Sequence, residues 1–166
     1  MNFIKKQSIS TWISLLTLIF AIIGVSIYGV NTSEGYFKDM TSGTLITFTI
    51  LTIVVLAAIL VLAQFKFSGL LGKVLSIFVD ALKIVVPLFL MICLFGFIST
   101  RIEGLAYLFG SNQEILDTIQ TPENMSSAYG AITGFVFFGI ASIAGMVAAF
   151  FNPTKKESAK LTTVMS

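Results

Sequence analysis

The stretch 43–65 carries no charged residue, and this constrains the chain more than any other feature. A helix of about 20 apolar residues is what crosses the hydrocarbon core of a bilayer. Residues 50–63 are almost wholly aliphatic, and Gln64 and Lys66 close the run. Three other segments, 9–30, 79–100 and 127–151, have the same character. Composition agrees: 56% of residues are hydrophobic and 11% charged, where soluble domains hold about a quarter charged. Four crossings use up most of the 166 residues. The expected fold is therefore all-α, an integral membrane four-helix bundle forming one domain over 1–153, followed by a flexible basic tail over 154–166.

Lysine and arginine in short loops set orientation. Lys5 and Lys6 precede the first span, Lys66 and Lys73 lie between the second and third, and Lys155, Lys156 and Lys160 follow the fourth. With four crossings, all of these fall on one side. The opposite side has Lys38 and Arg101, together with Glu34, Asp39, Glu103, Glu114, Asp117 and Glu123. This asymmetry predicts both termini on the cytoplasmic face of the plasma membrane. The first span is expected to be retained, because its apolar run is longer than the roughly 7–15 residues of a signal-peptide core. Trp12 near its start suits an interfacial position.

The third apolar region is too long for a single crossing. Residues 68–100 as one helix would measure about 50 Å, against a core of about 30 Å. Lys73, Ser76, Asp80 and Lys83 recur at spacings of three and four and form one polar stripe. Leu71, Leu75, Phe78 and Leu82 fall opposite. Pro87 removes a helical hydrogen bond. These features predict an amphipathic cytoplasmic extension that bends near Pro87 into a crossing ending by Thr100. Asp80 and Lys83 are placed to form an ion pair, with Lys83 snorkelling to the headgroup level.

The outer loop 31–42 is short and polar. The second, 101–126, is longer and is expected to hold a short helix. There Ser111-Asn112-Gln113-Glu114 matches a capping box ahead of Ile115, Leu116 and Ile119. The apolar run 105–109 should extend the third helix or rest at the interface. Thr121-Pro122-Glu123 has the form of a helix start, and Asn152-Pro153 that of a stop. The acids Glu114, Asp117 and Glu123 read as a solvated face, since calcium requires six to eight oxygens in a dense pattern. Asn31-Thr32-Ser33 and Asn124-Met125-Ser126 match the glycosylation acceptor pattern, which occurs often by chance.

Catalytic patterns are missing. The chain has no histidine and one cysteine, Cys93, so neither a Ser-His-Asp nor a Cys-His arrangement is available. Asp80 is the one acid near a span, whereas intramembrane aspartyl chemistry needs a pair. No enzyme activity, cofactor, metal site or nucleic-acid binding is expected. Gly130, Gly134, Ala141, Gly145 and Ala149 give the fourth helix a small-residue face, which lets backbones approach closely. That face suits packing on the chain's own helices or on another subunit. The layout resembles that of claudins and other tetraspan junction proteins. The loop 31–42 lacks the tryptophan and cysteine pair of claudins, so no residue carries over. Nine lysines to one arginine, with abundant isoleucine and phenylalanine, point to an AT-rich bacterial genome. The expected role is an accessory or scaffold subunit of a bacterial membrane complex, whose partners are the bilayer and another subunit or itself. The alternative is a homo-oligomeric channel or transporter component, motivated by the stripe from Lys73 to Lys83 and by Thr44, Thr47 and Thr52.

Overall fold

Hydroxyl and amide side chains start the helices by satisfying N–H groups that the first turn leaves free. The computed structural model describes residues 8–65 and 69–151. Helix α1 spans Ile9–Ser33, with the Ser8 hydroxyl accepting from the Thr11 N–H. Helix α2 spans Gly43–Leu62 and is capped in the same way by Ser42. Helices α3, α4 and α5 span Gly69–Gly110, Gln113–Ile119 and Pro122–Ala149. α5 starts as its sequence predicts, with Thr121 as cap and Pro122 in the first turn. α4 starts one residue later than the capping-box pattern implies. Asn112 is its cap, accepting from the Ile115 N–H at 3.0 Å. Ser111 donates instead to the Tyr107 carbonyl at 2.7 Å and closes the end of α3.

α1, α2, α3 and α5 are each long and apolar enough to cross a membrane, and the described residues form an all-helical bundle. Each of these helices packs on the next in the chain, and α5 closes the ring against α1. The α1–α5 seam is the most extensive of the four and the α1–α2 seam the least. The start of α1 and the end of α5 share one end of the bundle, the termini end, where the Ser10 hydroxyl donates to the Ala148 carbonyl at 3.1 Å. The α1–α2 turn and the α3–α4–α5 connection form the distal end. Lys5, Lys6, Lys66, the Asn152-Pro153 stop and the tail 154–166 lie outside the described residues.

The third helix runs beyond the expected end of its crossing near Thr100. α3 is one unbroken helix of 42 residues, about 63 Å long, with no interruption at Pro87. Membrane helices tolerate proline where neighbouring helices support them. Here the buried Pro87 packs on α5, its Cβ 3.5 Å from where a side chain on Gly145 would begin. Residues 101–110 continue the same helix, so the apolar run 105–109 extends α3, one of the two placements expected for it. At the other end, no residue of α3 before Val79 is buried. Leu70, Leu71, Val74, Ile77 and Phe78 are all exposed there, so the first turns project beyond the bundle.

Glycines on α1 and α5 make sockets for aromatic rings. Phe97, fully buried, meets Tyr28 and Phe135 edge-on with centroids 4.9 Å apart in each case, and Phe138 at 6.2 Å. Such edge-to-face pairs are favourable beyond the area they bury. Gly134 lies directly under the Phe97 ring, where a Cβ would collide with it. A Cβ on Gly24 would stand 3.1 Å from the Phe138 ring.

Candidate functional site

Two basic side chains lie inside the bundle, one toward each end, and both belong to the buried seam of α3. That seam reads Val79, Lys83, Val86, Leu90, Cys93, Phe97 and Arg101, at the three-and-four spacing that keeps residues on one helix face. A backbone that buries Leu90 and Phe97 therefore also turns Lys83 and Arg101 inward.

Arg101 is 0% exposed. Its Nε donates to the Asn31 side-chain oxygen at 2.8 Å, and its Nη1 donates to the Met40 carbonyl at 2.8 Å and the Thr100 carbonyl at 3.3 Å. The guanidinium carbon lies 4.9 Å from the Phe37 ring centroid, 5.4 Å from Tyr28 and 5.5 Å from Phe97. Three ring faces and three oxygens thus surround the charge, with cation–π attraction contributing. Among the described residues no carboxylate pairs with it, and Arg101 Nη2 is the one buried side-chain nitrogen or oxygen without a partner. Asn31 passes the link onward: its amide nitrogen donates to the Ser127 carbonyl at 2.7 Å and to the Ser127 hydroxyl at 3.3 Å. Tyr28 accepts from the Ser42 N–H and fixes the α1–α2 turn beside the cluster. One polar cluster therefore ties α1, the turn, α3 and α5 together at the distal end.

Two glycines make this closeness possible. Gly35 has φ +73°, and a Cβ there would stand 2.9 Å from the Cβ of Ser127. Gly104 has the Phe37 ring 2.6 Å and the Tyr36 ring 2.8 Å from its would-be Cβ, so the turn lies flat on α3.

Lys83, at the termini end, is 3% exposed. Its side chain turns into the bundle instead of reaching out along the helix surface. Its Nζ donates to the Phe151 carbonyl at 2.6 Å, just past the end of α5. The carbonyl end of a helix carries partial negative charge, and α5 has no basic residue in its own last turn. Lys83 supplies that charge from the neighbouring helix. Asp80 lies 3.9 Å away with its side chain 48% exposed, a looser second partner. The rest of the stripe does not enter the bundle: Lys73 and Ser76 are exposed, so the stripe runs from the projecting turns of α3 into the core.

The small-residue face of α5 turns inward in part. Gly134, Ala141 and Gly145 are buried against α1 and α3, while Gly130 and Ala149 are half-buried. Of the threonines on α2, Thr44 and Thr47 are exposed and Thr52 is buried, its hydroxyl donating to the Phe48 carbonyl at 2.7 Å. Thr49, not singled out from the sequence, donates its hydroxyl to Cys93 Sγ at 3.2 Å across the α2–α3 seam. Asn31 and Asn124 of the two acceptor patterns both donate within the fold, to Ser127 and to the Ile119 carbonyl.

Beside Asn31 a cleft of about 640 Å³ opens between α1 and α5. Ile27, Val30, Gly130, Glu34, Glu123, Ser126 and Ser127 are among the residues that line it. No group of three or more histidine, cysteine or acidic residues suited to a metal occurs among the described residues.

No protein-family model, curated protein or solved structure matches this chain. The Arg101 cluster, absent from the sequence-based candidates, was nonetheless foreshadowed. Arg101 is the chain's one arginine, it follows Phe97 by four residues, and apolar residues 105–109 continue beyond it.

Proposed function

We propose that this chain is a multi-pass accessory or scaffold subunit of a bacterial membrane complex, without catalytic activity of its own, with both termini on the cytoplasmic side of the plasma membrane. The observation that carries this reading is where the interior polar groups spend their bonding capacity. Arg101, Asn31, Ser127, Lys83, Ser10 and Thr49 bond to other groups of the bundle. They tie neighbouring helices together, and Val86, Leu90 and Phe97 fill the α3 seam between the two cations. Intramembrane ionisable residues ordinarily mark a functional pathway. Here their partners are backbone carbonyls, an amide and aromatic faces, which is the chemistry of a rigid support. The orientation rests on the lysine asymmetry of the loops.

The test is purification of the tagged chain in a mild detergent, with identification of stoichiometric partners by mass spectrometry. A defined membrane partner is the expected result. A homogeneous homo-oligomer without partner would replace this reading with a pore formed between copies. A lone monomer, with every envelope complex intact in a deletion strain, would end it.

A further inference from the structure

The cleft between α1 and α5 combines features that select one kind of ligand. Ser26, Ile27 and Val30 line it on α1, as does Gly130 on α5, and Glu34 and Glu123 line it where α1 ends and α5 begins. From Ser26 to Glu34 is about 12 Å along the helix axis. Ile27 and Val30 therefore lie farther into the bundle's length than the acids, which stand at its distal end. Gly35 brings the acids' backbones together: the Glu123 carbonyl lies 3.8 Å from where a Cβ on Gly35 would be. Neither carboxylate makes a hydrogen bond or ion pair among the described residues, and Lys38 of the same turn does not line the cleft.

The floor is already committed. Both Asn31 donor contacts go to Ser127, its oxygen is held by Arg101, and the Ser26 hydroxyl donates to the Ile22 carbonyl. What remains open to a ligand is apolar surface, the Ser126 hydroxyl and two anionic groups at the end of the bundle. Gly130 leaves the wall open, since the nearest atom to a Cβ there is the Asn31 amide nitrogen at 3.5 Å.

We infer that this cleft binds an amphiphile with an ammonium head, the head between Glu34 and Glu123 and the hydrocarbon chain against Ile27, Val30 and Gly130. The volume lies within the roughly 300–1,000 Å³ of small-molecule sites. Charge complementarity selects the head. The bilayer supplies the ligand from the side, along the open face of the α1–α5 seam. The site needs only a bundle embedded in lipid, so it stands or falls independently of the accessory role.

The experiment reconstitutes the full chain in nanodiscs of a neutral glycolipid, which carries no ammonium group, with a photoreactive hexadecylammonium probe. Matched alcohol and carboxylate probes of the same chain length serve as comparison, and labelled peptides are mapped by mass spectrometry. The ammonium probe should label segments 26–35 and 123–130 in preference to the other two. Combining Glu34→Gln with Glu123→Gln should cut labelling about tenfold, the equivalent of ~1.4 kcal/mol. Gly130→Leu should block labelling with both acids still in place, and its Cys93 should remain as protected from thiol reagents as in the parent chain. Equal labelling by all three probes, or undiminished labelling in the double glutamine variant, would overturn the assignment. So would crosslinking of the cleft to a second copy of the chain.

Discussion

Replacing Arg101 by methionine tests whether the buried guanidinium holds the distal end together or merely survives there. Methionine keeps most of the volume and can still contact the rings of Tyr28, Phe37 and Phe97, so the aromatic contribution roughly cancels. What is lost are two hydrogen bonds of 2.8 Å from a charged donor, to Asn31 and to Met40. Bonds of that kind contribute about 1.5–3 kcal/mol each. What is recovered is the penalty of the unpartnered Nη2, about 1–3 kcal/mol. The net expectation is a loss of about 2–3 kcal/mol, or roughly 4–12 °C in Tm for a chain of this size. Cys93, the single cysteine and fully buried, reports unfolding in a mild detergent through its reaction with a thiol-specific fluorophore. Asn31→Leu should cost at least as much, because it strands a charged donor. The double variant should cost less than the sum by about 1–3 kcal/mol, as expected for residues sharing one network. Replacing buried ions by apolar groups is sometimes stabilising. An unchanged or raised Tm for Arg101→Met would therefore refute the reasoning, as would strict additivity with Asn31→Leu.

Three further outcomes follow from the same geometry. Lys83→Met should lower stability by about 1–2 kcal/mol through loss of its bond to the Phe151 carbonyl, whereas Asp80→Asn should change it by less than about 1 kcal/mol, because the pair is long and half-exposed; the thiol-protection assay ranks the two. Gly134→Ala should destabilise by about 1–3 kcal/mol, since its Cβ collides with the Phe97 ring, while Gly139→Ala, which meets nothing within 4 Å, should fall within about 0.5 kcal/mol of the parent; equal effects would mean that the Phe97 socket is not tight. Fusion of a reporter active only in the cytoplasm to the C-terminus should give signal, and the same reporter inserted after Lys38 should not; the reverse pattern would sink the proposed orientation.

Hydropathy made the four long helices legible, because an uncharged run such as 43–65 has few alternatives once its length matches a bilayer. Local chemistry also made some termini legible: Thr121-Pro122-Glu123 starts α5 as its sequence implies. The extent of α3 was legible in part: the apolar run 105–109 reads as an extension of the third helix or an interfacial segment, and it extends α3. Pro87 reads as a lost helical hydrogen bond, but its burial against Gly145 of α5 is a tertiary fact. The Arg101 cluster was missed for a related reason. A charge at the edge of an apolar segment reads as the start of a loop, and only the continuation of α3 to Gly110 puts that charge on the seam of Leu90 and Phe97. Asn31 gave no pattern of its own, since its partners Ser127 and Arg101 lie 96 and 70 residues away in sequence.

The placement of the two buried cations accounts for the rest of the seam. Lys83 and Arg101 are five full helical turns apart, so they lie on one face of α3 about 27 Å from each other. That is close to the thickness of a hydrocarbon core, about 30 Å. A bundle centred between them puts each charge at a boundary layer, where ionisable groups cost least, and leaves Val86, Leu90, Cys93 and Phe97 for the depth between. Each charge then meets what its end provides: carbonyls, an amide and ring faces around Arg101, and the carbonyl end of α5 at Lys83. Exchanging Phe97→Arg with Arg101→Phe tests this directly. Composition is unchanged, but the guanidinium moves about 6 Å deeper, away from Asn31 and Met40 and into the aromatic hub beneath Gly134. The exchange should cost more than Arg101→Met alone and should sharply reduce the yield of chain with a protected Cys93. If the exchanged chain folds as stably as the parent, depth and partner geometry do not fix the position of Arg101, and the boundary-layer account fails.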